Sequence, residues 1–285
     1  MPPICNCNGT LLQEDEVRIT PNNRSFRYGD GCFETMKVVA GRICLADFHL
    51  ERLFRSLSTL QCTVPPSLTP QHLRRQVEEL VRANGQEALS RVRLVVHRGD
   101  GGLYDLETQE TNYIIQSWPA KDESNSFNTS GLKLDIFPDA RVTADRFSAL
   151  KSNNYLRQAM GARYVSNHQL DDCILTNCFD RVVDTTIANI FIVSGNLIKT
   201  PPLSEGPVAG VMRRFLLEGM EGQSMQCLES AISIEELFDA SEVFVTNAMV
   251  GIRWVKAIGN KEFDNSVSAD LHNRFIAPLF ASSTF

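Results

Sequence analysis

Lys151 lies in the stretch RFSALKSNNYLRQAM, Arg146 to Met160, between the apolar pair Ala149-Leu150 and the small polar run Ser152-Asn153-Asn154. A lone lysine is most often a solvated surface charge, so a special role for this one, at a strand-like end and just before a helix-like segment, has to come from the rest of the chain. Its amine could serve as a nucleophile toward a carbonyl and as a base. Four other stretches carry chemistry that complements it. In EGPVAGVMRRFLLEGM a Pro/Gly loop runs into an amphipathic helix beginning at Val211. The amides and positive dipole end of such a helix favour a phosphate. The stretch has neither the P-loop lysine nor the G-x-G-x-x-G spacing of a dinucleotide site. In VVDTTIANIFIV, Asp184 ends a strand ahead of a polar turn. In RYGDGCFET, Gly29 and Gly31 mark a sharp turn and Glu34 follows inside an apolar strand. In HRGDGG, Arg98 stands at the mouth of a glycine-rich loop, suited to a carboxylate.

A lysine, a carboxylate, a phosphate-binding helix start and an arginine are the parts that pyridoxal 5′-phosphate requires. The amine condenses with the aldehyde of the cofactor. A carboxylate at the pyridine nitrogen keeps the ring protonated and electron-withdrawing, and the helix start holds the phosphate.

The elements that must position these groups follow from pattern. CFETMKVVAGRICL reads as a hairpin around Ala40-Gly41. Leu50, Leu53, Phe54 and Leu57 recur at helical spacing after Asp47, which serves as the expected cap. A second helix is predicted from Thr69 to Asn84, stopped by Gly85. SRVRLVVHRG and TNYIIQSWP read as strands. The polar stretch 120–131 reads as a linker between an N-terminal α/β domain, 1–119, and a C-terminal cofactor-binding domain, 132–285. In the second half, strands are predicted at 132–137, 172–176, 181–184, 189–193 and 243–246. Helices are predicted at 154–166, from near Gly210 and from near Ile234. Strands in both halves, covered by helices, give an α+β class.

Composition narrows the function. The chain has 285 residues and a formal net charge of −6, with a pI near 5.5. That field does not favour nucleic acid or an anionic membrane, and no apolar run reaches spanning length. The eight cysteines include no C-x-x-C pair, and the N-terminal end has neither a basic nor an apolar leader. Thiols in a reducing cytoplasm are expected. Cys5-Asn6-Cys7 could begin a metal site, but the dispersed histidines complete no ligand spacing, so no metal is expected.

The chain resembles the class IV aminotransferases, the fold-type IV pyridoxal-phosphate enzymes, over almost its whole length. The resemblance rests on Tyr28-Gly29-Asp30-Gly31-x-Phe33-Glu34, on His49-Leu50-Glu51-Arg52-Leu53 and on the Lys151 segment. It continues through Asp184-x-Thr186-x-x-Asn189-Ile190-Phe191 and Thr200 to Gly210-Val211-Met212-Arg213. It implies two domains, the larger one barrel-like, and a homodimer. Lys151 is then the Schiff-base lysine and proton shuttle. Arg52 pairs with the cofactor phosphate, and the amides of Val211 and Met212 complete that cradle. Tyr155 meets the ring hydroxyl oxygen, and Asp184 the pyridine nitrogen. Tyr28, Phe33 and Glu34 join Arg98 on an amino substrate.

Two positions depart from the usual pattern. Asp184 stands where the family commonly has glutamate. Ala248 stands where many members place a threonine hydroxyl on the phosphate, so backbone at Asn247 and Ala248 must serve instead. The Asn247-Ala248 pair, Gly-Val-Met-Arg, GDGCF, RGDGG and IAPLF are together similar to 4-amino-4-deoxychorismate lyases. An amino acid aminotransferase of branched-chain or D-amino acid type is the alternative. A cofactor-binding protein without turnover is a distant third.

Overall fold

A computed structural model describes residues 3–104, 111–222 and 226–281. Packing divides the chain into two compact units. The first runs from the N-terminal end to Asp122 and takes in Leu150–Asn154. The second comprises Glu123–Ala149 and Tyr155–Ala281.

The first unit opens with strands β1 (Ile4–Cys7) and β2 (Thr10–Gln13), then a short helix α1 (Arg24–Tyr28). Strands β3 (Gly31–Val39) and β4 (Arg42–Ile43) follow, then helices α2 (Ala46–Thr59) and α3 (Pro70–Ala83), then strands β5 (Leu89–Arg98) and β6 (Thr111–Pro119). The six strands form one antiparallel sheet in the order β2-β1-β6-β5-β3-β4. Alternation decides its two faces. Cys32, Met36, Val38, Val92, Leu94, Val96 and Ile115 are buried against Leu50, Leu53, Leu57, Leu73 and Leu80 of α2 and α3. Each fully buried leucine contributes roughly 1.5–3 kcal/mol.

The β3–β4 hairpin turns at Ala40 and Gly41, both at positive φ (48° and 76°), as a two-residue hairpin requires. In α3, Thr69 accepts a hydrogen bond from the His72 amide, Pro70 fills the first turn, and Gly85 follows the end at φ 63°. Helix α2 starts differently from expectation. Its cap is Leu45, in the left-handed region at φ 53°, and no side chain caps it. Asp47 lies inside the first turn, past the capping position, and its exposed carboxylate meets Arg74 of α3 at 2.5 Å.

The second unit contains β7 (Leu132–Val142), α4 (Leu156–His168), β8 (Asp172–Asn177), β9 (Val182–Thr185), β10 (Asn189–Ser194) and β11 (Leu197–Thr200). After these come α5 (Val211–Met220), β12 (Gln226–Glu229), α6 (Ile234–Asp239), β13 (Glu242–Asn247), β14 (Gly251–Ile258), β15 (Lys261–Glu262), α7 (Ser266–Leu271) and α8 (Ala277–Ala281). Six strands close into a barrel, β10-β13-β14-β7-β8-β9. Strand β9 returns to β10 at the single register pair Asp184 and Asn189. Strands β11 and β12 extend the sheet from β10, and β15 pairs with β14. One face packs Leu134, Ile174, Val182, Ile190, Ile192, Val243, Val245 and Val255. On the other face of β10 and β13, Phe191 and Phe244 stack with centroids 4.9 Å apart. Residues 123–131 are anchored to β14: Asn128 Nδ2 donates to the Trp254 carbonyl, and the Trp254 amide and indole N–H donate back to Asn128.

This is the expected α+β class, a two-domain fold-type IV architecture with a barrel in the larger part. All eight cysteines carry thiols. Among the described residues no helix is long and apolar enough to cross a membrane, and no group of His, Cys, Asp or Glu is arranged for a metal.

Candidate active site

In the first unit, residues 151–154 add a short edge to the start of β3. The Phe33 amide donates to the Lys151 carbonyl at 2.8 Å, Cys32 bridges to Ser152, and the Asn153 amide donates to the Gly31 carbonyl at 3.0 Å. Gly31 admits this approach because a Cβ there would lie 2.6 Å from Asn153 Nδ2. Lys151 is thereby held half-buried, its Nζ 4.5 Å from the centre of the Phe33 ring. The guanidinium of Arg93, on β5, lies 4.6 Å from the centre of that ring. An amine and a guanidinium thus lie against the same aromatic ring.

Glu34 has the opposite parity and points beneath α2. It accepts from Arg52 through Nε (2.8 Å) and Nη2 (2.5 Å), and from His49 Nδ1 (2.6 Å). Burial pushes its carboxyl up, but Arg52, with His49 assisting, outweighs that and holds it down at about 2. Burial lowers the pKa of His49, against the pull of Glu34; Arg52 and Lys151 lower it further. His49 therefore stays neutral, donates from Nδ1, and keeps a buried Nε2 with no hydrogen-bond partner among the described residues. Arg98 turns away from the Phe33 ring: it reaches Asp30 at 3.4 Å and donates to the Leu60 carbonyl. The Tyr28 ring lies against the guanidinium groups of Arg24 and Arg27.

In the second unit, Asp184 is buried at the barrel closure. Its Oδ1 accepts from Asn189 Nδ2 at 2.7 Å and its Oδ2 from the Val208 amide at 2.8 Å. Tyr155 immediately precedes α4, and its hydroxyl donates to the Thr186 carbonyl at 3.2 Å. The Thr186 amide and hydroxyl donate in turn to Asp172 Oδ1. Helix α5 is capped by Gly210 with no side-chain hydrogen bond, and Val211 and Met212 open it. After β13, Asn247 Oδ1 accepts from the amides of Met249 and Val250 around Ala248, whose side chain has no polar atom.

These groups fit pyridoxal phosphate. A helix start without a side-chain cap suits a phosphate. The hydroxyl of Thr246, next to Asn189 in the β10–β13 register, is a buried polar atom with no hydrogen-bond partner among the described residues.

A class IV amino-transferase family model matches residues 31–258. The chain is 28% identical to an aminodeoxychorismate lyase of Bacillus subtilis (strain 168) over 248 residues, 86% of this chain and 83% of that one. It superposes on a branched-chain aminotransferase from Thermoproteus uzoniensis with a TM-score of 0.89 at 24% identity, over 99% of this chain and 96% of that one. A 4-amino-4-deoxychorismate lyase from Pseudomonas aeruginosa gives a TM-score of 0.82 at 26% identity, covering 95% and 97%.

The chain belongs to the class IV aminotransferase family. It is a pyridoxal-phosphate-dependent enzyme of that family. The family motifs gather into two sets, one in each unit. Lys151, Phe33, Glu34 and Arg52 fall in the first; Tyr155, Asp184, Val211, Met212, Asn247 and Ala248 fall in the second. Glu34, expected on the substrate, instead spends both oxygens on Arg52 and His49. Arg98, also expected there, is engaged by Asp30 and Leu60. The loop beyond Arg98 exposes Leu103 and Tyr104, and its end, Leu106, lies outside the described residues. Arg93 was not among the residues expected near Lys151. The signal was a cation in mid-strand whose parity puts it on the face opposite Val92 and Leu94.

Proposed function

We propose that this enzyme is a 4-amino-4-deoxychorismate lyase, releasing 4-aminobenzoate and pyruvate, and that it acts as a cytoplasmic homodimer. The observation that carries the lyase reading is the turn after β13. There Asn247 fastens its own loop and Ala248 offers no hydroxyl, and this pair is part of the sequence's resemblance to the lyases. Lyase relatives from Bacillus subtilis and Vibrio harveyi, at 28% and 26% identity, support it.

When bound, pyridoxal phosphate supplies an electron sink for the carbon bearing the substrate amine. Lys151 Nζ would hold the cofactor until the substrate amine takes its place, and the amine so freed would remove the proton from that carbon. The departing enolpyruvyl group needs one proton to leave as pyruvate, and the Lys151 ammonium would supply it. Arg93 takes a substrate carboxylate in place of Arg98, since its guanidinium shares the Phe33 ring with Lys151. Asp184 would hold the protonated ring nitrogen, Tyr155 would face the ring hydroxyl oxygen, and the amides of Val211 and Met212 with Arg52 would hold the phosphate.

The test is incubation of the loaded enzyme with enzymatically made aminodeoxychorismate beside a panel of L- and D-amino acids with 2-oxoglutarate. Formation of 4-aminobenzoate and pyruvate in equal amounts is expected. Glutamate formation from the panel, without 4-aminobenzoate, makes the enzyme an aminotransferase instead.

A further inference from the structure

The barrel closes where β9 meets β10, and the only register pair there is Asp184 with Asn189. These residues are 7% and 5% exposed. Asn189 Nδ2 donates to Asp184 Oδ1 at 2.7 Å and to the Val208 carbonyl at 2.9 Å, and the Val208 amide donates to Asp184 Oδ2 at 2.8 Å. Both partners of Nδ2 are oxygens that only accept, so chemistry fixes which way the amide faces. Its NH2 group spends both protons, one on the carboxylate and one on the strap that carries Val208.

The strap approaches this closely at Gly210. A Cβ at that position would lie 1.8 Å from Asn189 Oδ1, so Gly210 accommodates the contact with no side chain. Gly210 is also the cap of α5. Asn189 therefore ties the carboxylate of Asp184 to the segment that starts the helix.

We infer that Asn189, through this cycle with Val208 and Gly210, is the positioning residue that aims Asp184 at the pyridine nitrogen of the cofactor. The inference rests on the pyridoxal-phosphate reading above. Aspartate has one rotatable bond fewer than the glutamate usual in the family. Held by Asn189 on one oxygen and by the Val208 amide on the other, the carboxylate cannot turn, and its direction is fixed. An N–H⁺ met there is a charge-assisted hydrogen bond, whose strength depends on alignment. Asparagine suits the position because serine could not reach both partners and a second carboxylate would repel the first.

The test compares binding of pyridoxal phosphate with that of its 1-deaza analogue, in which carbon replaces the ring nitrogen, to the apoprotein. Wild type is expected to prefer pyridoxal phosphate roughly tenfold or more, the scale of one charge-assisted hydrogen bond. In Asn189→Ser the preference is expected to fall to within about threefold, while the analogue binds as it does to wild type. Gly210→Ala, which displaces Asn189 from outside, should give the same loss and serves if Asn189→Ser does not fold. A purely structural asparagine would weaken both ligands equally. An unchanged preference in the variants, or no preference in wild type, overturns the inference. Failure of wild type to bind either ligand overturns the pyridoxal-phosphate reading itself.

Discussion

Among single residues, we propose a division of labour between two arginines. Arg93 and Lys151 lie 4.6 and 4.5 Å from the centre of one phenylalanine ring, whereas Arg98 is bound to Asp30 and the Leu60 carbonyl. Arg93→Gln is expected to raise KM for a carboxylated substrate by roughly tenfold or more, as loss of a charge-assisted contact would. Arg98→Gln is expected to lower the melting temperature and leave KM within about threefold. Steady-state kinetics beside thermal melts separate the two, and the reverse pattern would return the carboxylate role to Arg98. Sequence order alone favoured Arg98 because a glycine-rich loop advertises its neighbour. Arg93 is hidden in a strand whose alternation is only informative once its register against β3 is known.

Two elements hold the site residues by packing that can be tested separately. Helix α2 carries His49 and Arg52 one turn apart, so both reach Glu34 of β3. The fold holds the Glu34 carboxyl at about 2, below its ordinary value of 4.5. A carboxyl depressed by folding stabilises the native state fully above 4.5, and that contribution disappears as pH falls from 4.5 to 2. Denaturant titrations should show Glu34→Gln destabilised by about 3 kcal/mol at pH 7, with the gap to wild type closing between pH 4.5 and 2. A gap independent of pH would contradict the ionised pairing. In the second unit, α4 is seated by Gly161, where a Cβ would come within 2.9 Å of Thr186 Cγ2 and 3.1 Å of Cys173 Sγ. Gly161→Ala is expected to cost about 1–3 kcal/mol and to shift Thr186, whose carbonyl receives the Tyr155 hydroxyl. Equilibrium unfolding measures the first, and weaker cofactor binding reports the second. Local signals made much of this scaffold legible: the Ala40-Gly41 hairpin, the Thr69 and Gly85 punctuation of α3, and the strands on either side of Asp184. The start of α2 was not, because a left-handed Leu45 is a backbone choice without a residue-type signature, and it moved Asp47 past the cap. The Glu34–Arg52–His49 cluster and the Val208 strap over Asp184 were not legible either. Both depend on contacts between separate elements, and the residue types alone suit several other roles.

At the scale of the whole molecule, the chain exposes apolar side chains on the loop after β5. Leu103 is 56% and Tyr104 92% accessible in the single chain. Such groups are costly to leave wet, and we propose that a second copy covers them. Mixing two inactive forms tests this: Lys151→Ala subunits with subunits carrying Leu103→Asp and Tyr104→Ala. If the loop serves the partner's site, hybrids contain one intact site and activity returns in proportion to their abundance; if it serves its own chain, every mixture stays inactive. The central claim, that Lys151 is the residue carrying the cofactor, has a more direct measurement. The protein loaded with pyridoxal phosphate is reduced with borohydride, digested, and its peptides are mapped by mass. A phosphopyridoxyl group on the peptide containing Lys151, and none on the Lys151→Ala protein, is the expected result. A label on any other lysine, or none on wild type, would contradict it.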